Sequence, residues 1–363
     1  MVSIFSPVYD KVNKFLPEAY QSLCDQTDQD WEWIICLNNG GQVSPLIQAD
    51  ERVRVFETHD DQGVTHNRIG RLKKLCCERA RGIAVLEFDA DDLLMPTAVE
   101  KVRAAFADPN ISFVGSNDAL FHDGTWEPRT FSEYYGWRSR PFEYQGKKLI
   151  EMVGWEPGPQ MMRMIFWAPD HLRAWRLSDY LAIGGHDESM VTGDDHDLLC
   201  RTYLAFGAAR MKHLDECLYL YRITGDNSSV WNNAEVQQNQ WDNYLKYAQP
   251  MAERWARDNG LRLLDIGGGI DGYPGYEKID IAGGADIICD LEGPWPFEDN
   301  SVGVIRASHV LEHLSDPIHA MNEAFRCLAG GGFFFIDIPS TDGRGAFQDP
   351  THKSFWKIGR AHV

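Results

Sequence analysis

Short apolar runs alternate with amphipathic stretches twice along this chain, and that alternation limits the fold more than any other feature. The first series sets strands at Val2–Phe5, Glu32–Cys36, Arg52–Phe56 and Ala84–Phe88 against helices at Phe15–Cys24, His66–Arg81 and Pro96–Phe106. The second starts at Leu261–Ile266 and continues through Lys278–Ile281, Ala285–Cys289, Val302–Ala307 and Gly332–Ile338. Such strands, separated by helices, predict an α/β chain with largely parallel sheets covered on both faces and ligands at the carboxyl ends of the strands. Between the series, Trp241, Tyr244, Leu245, Ala248, Met251 and Trp255 recur at helical spacing and predict one apolar helix face, with Pro250 expected to kink or split the helix. Thr125–Tyr180, rich in Trp, Arg and Pro, is expected to be irregular structure over the first sheet. The chain therefore reads as a first domain over 1–245, a helical linker over 246–260 and a second domain over 261–363.

A length of 363 residues suits two domains at ~100–200 residues each. Lys plus Arg number 35 against 54 Asp plus Glu, for a formal net charge of −19. This argues against a nucleic-acid partner, which needs clustered Lys and Arg, but leaves room for an anionic small molecule held by a local Lys, backbone amides or a divalent metal. Eight cysteines with no C-x-x-C pair read as thiols of a reducing compartment, with one of the vicinal Cys76 and Cys77 turned inward. No leader pattern opens the chain, and no window reaches the ~20 apolar residues of a membrane span. A cytoplasmic location is expected, with peripheral association at the inner membrane left open.

The first candidate site is Ala84-Val85-Leu86-Glu87-Phe88-Asp89-Ala90-Asp91-Asp92, a buried strand running into clustered acids. Their mutual repulsion calls for compensation, and Mg²⁺ or Mn²⁺ supplies it while keeping positions open for diphosphate oxygens. The competing reading is that Asp91-Asp92 merely caps the next helix. Ser6-Pro7-Val8-Tyr9 after the first strand, Gln26-Thr27, Trp31-Glu32-Trp33-Ile34-Ile35, and Gly63-Val64-Thr65 leading to Gly70 and Lys73 surround this cluster. Together these motifs resemble the inverting nucleotide-sugar glycosyltransferases of family 2, of GT-A fold, over roughly residues 2–230.

The resemblance implies a nucleotide-diphosphate sugar donor and a glycan or carbohydrate acceptor. It places the metal at Asp89 and Asp91, with Ala90 and Asp92 beside them, and the donor near Pro7, Val8 and Tyr9. Asn38-Asn39 stands where the family tends to carry an acidic pair for the nucleotide base. Gly193-Asp194-Asp195-His196-Asp197 resembles the family's acidic pair at a helix start, and an inverting transfer needs one carboxylate to take the acceptor hydroxyl's proton. Asp195 is expected in that role, with Asp194 as competitor and simple N-capping as the bland alternative. Tyr221-Arg222-Ile223-Thr224-Gly225-Asp226-Asn227-Ser228-Ser229 resembles a segment folded over the diphosphate, so Lys73 and Arg222 are candidate phosphate partners. Arg222 has equal reason to pair with a carboxylate. The Trp residues of the insert suit a sugar acceptor collectively, although each one singly reads as core.

The second candidate site is Leu263-Leu264-Asp265-Ile266-Gly267-Gly268-Gly269-Ile270-Asp271-Gly272, glycines directly after an apolar strand. The G-x-G-x-x-G match alone is weak. With Lys278-Ile279-Asp280-Ile281, Cys289-Asp290-Leu291, Pro296-Phe297-Glu298-Asp299-Asn300-Ser301 and Ala307-Ser308-His309-Val310-Leu311-Glu312-His313, it resembles class I S-adenosylmethionine-dependent methyltransferases. That resemblance implies the cofactor's methionine part near Asp265, Gly267 and Gly269, its ribose at Asp280 and its adenine near Asp290 and Leu291. His309 to His313 also spells H-x-x-E-H, but zinc hydrolysis would need both histidines on one helical face plus a third ligand. The family's Rossmann-like sheet has seven strands, and this sequence shows five, so the domain reads as partial. An open sheet edge favours instability or association with another chain, a second copy included.

The leading expectation is a metal-dependent inverting glycosyltransferase. A bifunctional enzyme that also methylates the glycan, and a non-catalytic glycan-binding protein with a degenerate donor pocket, stand as alternatives. A nucleotidylyltransferase is disfavoured because no Gly-rich phosphate loop with Arg and Lys follows the first strand.

Overall fold

The structure, a computed structural model, describes residues 1–58, 68–160, 171–225, 227 and 233–357. Gly63-Val64-Thr65, the expected helix start at His66, Trp167, Asp226 and Ser228-Ser229 lie outside the described residues. The chain divides into two units, Met1–Ala248 and Gln249–Val363.

The sheet of the first unit comprises β1 (Val2–Val8), β2 (Trp31–Leu37), β3 (Val53–Glu57), β4 (Ala84–Glu87), β5 (Leu93–Leu94), β6 (Phe113–His122), β7 (Pro128–Arg129), β8 (Arg138–Tyr144), β9 (Lys147–Val153), β10 (Arg173–Arg176) and β11 (Met211–Ile223). Its main order is β3-β2-β1-β4-β10-β6-β11-β5. The strands β1 to β4 are parallel, and β10 runs antiparallel to both β4 and β6. With Val8 opposite Leu37 and Phe5 opposite Glu87, the turns after β1, β2 and β4 open along one sheet edge. Val2, Ile4, Trp31, Trp33, Ile35, Ala84 and Leu86 are all fully or almost fully buried on this sheet, which makes its carboxyl edge a rigid platform.

Three local expectations are corrected. Thr125–Tyr180 is not irregular throughout, since β8 and β9 form a hairpin, β9 also pairs with β6, and β10 lies inside the main sheet. Gln145 and Gly146 turn the hairpin at φ 48° and 77°, the twist that suits a two-residue connection. Most of β8 is exposed, so hydrophobic alternation did not announce it. Secondly, Cys76 and Cys77 are both buried, because their helix Ile69–Cys77 packs on β1 and β2 and also on the helix Asp194–Phe206. Side chains ~100° apart are then both covered.

The third correction concerns the helix Asn233–Asp258, which Pro250 does not split and whose buried face differs from the one expected. Lys246 and Pro250 lie on its exposed side, where a carbonyl deprived of its partner meets water. Trp241 and Leu245 are 47% and 63% exposed, whereas Asn243, Tyr247, Ala248, Met251, Ala252 and Ala256 are buried. Asn239 and Asn243 donate to the carbonyls of Thr192 and Gly193, and Tyr247 donates to Asp197. These polar anchors, which hydrophobic periodicity does not register, set the rotation of the helix.

In the second unit, β12 (Arg262–Ile266), β13 (Glu277–Asp280), β14 (Ile287–Ile288), β15 (Val302–Ser308) and β16 (Leu328–Asp337) form a parallel sheet in the order β14-β13-β12-β15-β16. This is a doubly wound half with its switch point between β12 and β15. Leu264, Ile266, Ile279, Val302, Ile305 and Trp295 centre its core. Among the described residues no helix is long and apolar enough to cross a membrane.

Candidate active site

The first site grows from the edge where β1, β2 and β4 end. Glu87, the last residue of β4, is buried between two cations, with Lys73 Nζ at 2.6 Å from one oxygen and Arg173 Nε at 3.0 Å from the other. Each cation then reaches the acidic helix start, Lys73 to Asp194 at 3.0 Å and Arg173 Nη1 to Asp195 at 2.6 Å. The result is a chain of charges that ties β4, β10, the helix Ile69–Cys77 and the helix Asp194–Phe206 together. Gly70 permits the approach, since a Cβ there would stand 2.0 Å from the Asp187 carbonyl oxygen.

The two aspartates differ in environment. Asp194 is 3% exposed, and burial pushes its carboxyl up to about 6 against the pull of Lys73. The Asp195 side chain keeps 24% exposure; burial alone would raise its carboxyl, but Arg173 and then Lys73 hold it below the usual range. Asp195 is thus an ionised carboxylate at the rim, and Asp194 a buried member of the framework. His186 is buried beside Asp194, its Nε2 3.6 Å from the carboxylate.

Asp89 and Asp91 are half-buried and make no ion pair among the described residues. Burial, then the charge of Glu87, raises the Asp89 carboxyl, and burial, then Asp89, raises that of Asp91 to about 7. Asp92 is structural, accepting from the Tyr219 hydroxyl at 2.8 Å and from the Arg222 backbone N–H at 2.7 Å. Irregular register in β11 around Leu214 to Tyr219 brings Tyr219 there, and its hydroxyl also accepts from the Asp89 amide at 3.0 Å. Sequence reasoning missed His171. Its ring stacks on Tyr219 at 4.5 Å, its buried Nδ1 has no hydrogen-bond partner among the described residues, and one ligand atom each of Asp89, Asp92 and His171 lie within 4.8 Å of one another. A histidine two residues before a short strand carries no motif, so only the fold could reveal it.

The other expected donor residues fall as follows. Pro7, Val8 and Tyr9 stand at the end of β1, and Asn38 and Asn39 follow β2. Asn38 is buried with its side-chain amide nitrogen unpaired, while Asn39 is exposed at φ 42°. Ala90 is buried between the two half-buried aspartates. Lys73 and Arg222, candidate phosphate partners, are both buried in carboxylate networks: Arg222 bonds to Glu18, to Asp123 at 2.8 Å and to the Asp91 carbonyl at 2.6 Å. Trp126 stacks on Phe121 at 4.3 Å, Trp137 lies 5.0 Å from Trp155 and Trp175 is buried, so the described tryptophans of the insert are engaged in packing.

In the second unit a cavity of about 320 Å³ is lined by Asp265, Gly267, Gly268, Asp271, Gly272, Tyr273, Pro274, Arg306 and Ser308. Gly267, at φ 71°, has no room for a Cβ, which would lie 1.7 Å from Val310 Cγ2. Asp265 is buried, accepting from Tyr273 N at 2.7 Å and Arg306 Nη1 at 3.3 Å. Asp280 turns its oxygens to the amides of Gly269 at 3.0 Å and Ala282 at 2.8 Å, and Asp290 accepts from the Glu292 amide at 3.0 Å. Neither Asp280 nor Asp290 lines the cavity. As placed, both acids hold turns through backbone amides.

Comparison with known proteins gives the class. Residues 3–165 match the family model for glycosyl transferase family 2, and residues 278–336 match that of a methyltransferase domain. The chain thus carries a region that matches glycosyl transferase family 2, followed by one that matches a methyltransferase domain, in the order the motifs led us to expect. The O-antigen biosynthesis protein RfbC of Myxococcus xanthus is 26% identical over 228 residues, 60% of this chain and 16% of that protein. An uncharacterized glycosyltransferase, MJ1057, of Methanocaldococcus jannaschii is 29% identical over 107 residues, 28% of this chain and 35% of that protein. The chain therefore spans only a minor part of each of these relatives. Among solved structures, S. aureus TarS 1-349 in complex with UDP-GlcNAc has a TM-score of 0.49 at 16% identity, over 71% of this chain and 72% of that one.

Proposed function

We propose that the first unit moves a sugar from a nucleotide-diphosphate donor to a glycan or carbohydrate hydroxyl, with inversion at the anomeric carbon. The split within the aspartate pair carries this reading: Asp195 is partly exposed and held ionised at the rim, while Asp194 is buried on Lys73. In this mechanism an Asp195 oxygen accepts the proton of the acceptor hydroxyl as that oxygen attacks the face opposite the diphosphate. Arg173 positions Asp195, and Lys73 keeps Glu87 and Asp194 ionised beneath it. The unpaired Asn38 amide is a donor for the nucleotide base. The half-buried carboxyl of Asp89, clustered with Asp92 and the orphaned His171 nitrogen, fits a divalent cation, Mn²⁺ or Mg²⁺, with Asp91, also raised and two residues along the chain, as the further carboxylate of the motif. When bound, it would neutralise charge on the departing diphosphate. The name of RfbC points to polysaccharide assembly, and we extend that acceptor class to this chain.

A screen of nucleotide sugars for thermal stabilisation and transfer, with and without Mn²⁺, tests the reading. Asp195→Asn should lower transfer by ~10²–10⁴-fold while donor stabilisation persists. Undiminished transfer would remove Asp195 as base, and indifference to every nucleotide sugar would favour the glycan-binding alternative.

A further inference from the structure

The second unit holds a cluster that neither transfer reaction uses. One ligand atom each of Glu312, His313 and His352 lie within 4.8 Å of one another. Glu312 is 1% exposed, and neither carboxylate oxygen has a hydrogen-bond partner among the described residues. A buried carboxylate in that condition is costly unless a cation meets it. Among the described residues its one ion-pair contact is conditional: His309 Nδ1 lies 3.4 Å away, on a 61% exposed ring.

The hydrogen bonds around the two ring systems settle which nitrogens remain available. The hydroxyl of Thr351 donates to Asp349 at 2.6 Å, so its oxygen accepts from His313 Nδ1 at 3.0 Å. The Ala346 carbonyl can only accept, so His352 Nδ1 donates to it at 2.8 Å. Both neutral imidazoles therefore carry their proton on Nδ1 and keep a lone pair on Nε2. A metal-binding histidine has this arrangement, with the far N–H anchored on a carbonyl or a polar relay.

We propose that Glu312, His313 and His352 bind one divalent transition-metal ion, with Zn²⁺ favoured by the two-imidazole, one-carboxylate donor set. The site differs from the H-x-x-E-H reading of the sequence: His309, at φ 55°, stands outside the short turn Leu311–His313, and the second histidine comes from 39 residues further on. Its role is structural. The turn after β15 already receives the later segment through Lys353 N and Ser354 N, which donate to the Glu312 carbonyl at 2.7 and 3.1 Å. The ion would fasten the same two segments through side chains. No bond is made or broken, and the site stands whether or not the transfer reading holds.

The full chain, stripped with a chelator and returned to buffer with excess Mg²⁺ to occupy hard-oxygen sites, is titrated with Zn²⁺ and followed by metal analysis and thermal unfolding. One retained equivalent and a raised melting temperature are expected. Glu312→Gln and His352→Ala should each weaken that equivalent by ~10–100-fold or more, whereas Asp89→Asn should leave it. Should those variants fail to fold, Co²⁺ added to the unaltered chain must develop a ligand-field absorption band that Zn²⁺ abolishes. Absence of a retained equivalent or of that band, or variants that bind as the parent does, overturns the site and leaves a proton shared between Glu312 and a histidine in its place.

Discussion

Glu87 illustrates how single residues make this first site. It is the last residue of a buried strand, and its charge persists only because Lys73 and Arg173 flank it. Replacing Lys73 by Met leaves Glu87 and Asp194 short of a partner in a buried setting. We expect a loss of about 3–5 kcal/mol in chemical denaturation. Protonation has its own signature. Burial pushes His186 down to about 3 and His196 down to about 4, so the folded chain refuses protons that the unfolded chain takes near 6.5. The stability these histidines give is present above that value and is lost as pH falls toward 4. Asp194, raised to about 6, works the other way over part of the range, since its protonated form is the one the fold favours. Asp89 and Asp91, whose carboxyls burial also raises, work in the same direction as Asp194, so the variant isolates the histidine contribution: in His196→Gln the melting temperature should fall less between pH 7 and pH 5 than in the parent, by thermal unfolding at each pH.

At the scale of elements, glycine placement sets how closely helices approach the sheet. The helix that delivers Lys73 touches the loop before Asp194 at Gly70, where no Cβ fits. Gly70→Ala should cost about 1–3 kcal/mol and lower transfer through displaced Lys73, with urea denaturation and a donor assay as readouts. Gly283→Ala, a position with nothing within 4 Å, is the control and should stay within about 0.5 kcal/mol of the parent. The strands β6 and β11 show why parts of the sheet escaped the sequence. Ser116, Asn117 and Asp118 interrupt the apolar pattern of β6, yet all three are buried. Asn117 donates to Glu151 at 2.7 Å and to Asp215 at 2.9 Å, and accepts from the Gly154 amide at 2.8 Å. Polar residues satisfied by distant partners look like loop residues until those partners are in place.

For the whole molecule, the charge imbalance of 54 acidic against 35 basic residues stands beside two candidate cation sites, one in each unit. Self-repulsion on this scale is screened by salt. Raising ionic strength from ~0.02 to ~0.5 M should lift the melting temperature by roughly 2–4 °C, about 1 kcal/mol in a domain of this size. A fall instead would mean that favourable ion pairs such as Lys73 with Glu87 outweigh the repulsion.

The alternating apolar runs determined the parallel strands β1 to β4 and most of the second sheet, because strand and helix periods are local properties of neighbouring residues. They also brought out the acids after β4, the aspartate pair and the glycine turn, each of which is a short contiguous motif. Tertiary structure alone decided which aspartate faces solvent, that Lys73 and Arg222 spend their charge on carboxylates, and that His171 sits beside Asp89. It likewise brought His352 to Glu312 and His313. Burial, pairing and lone-pair direction depend on residues far apart in the chain, and no local pattern encodes which of them will meet.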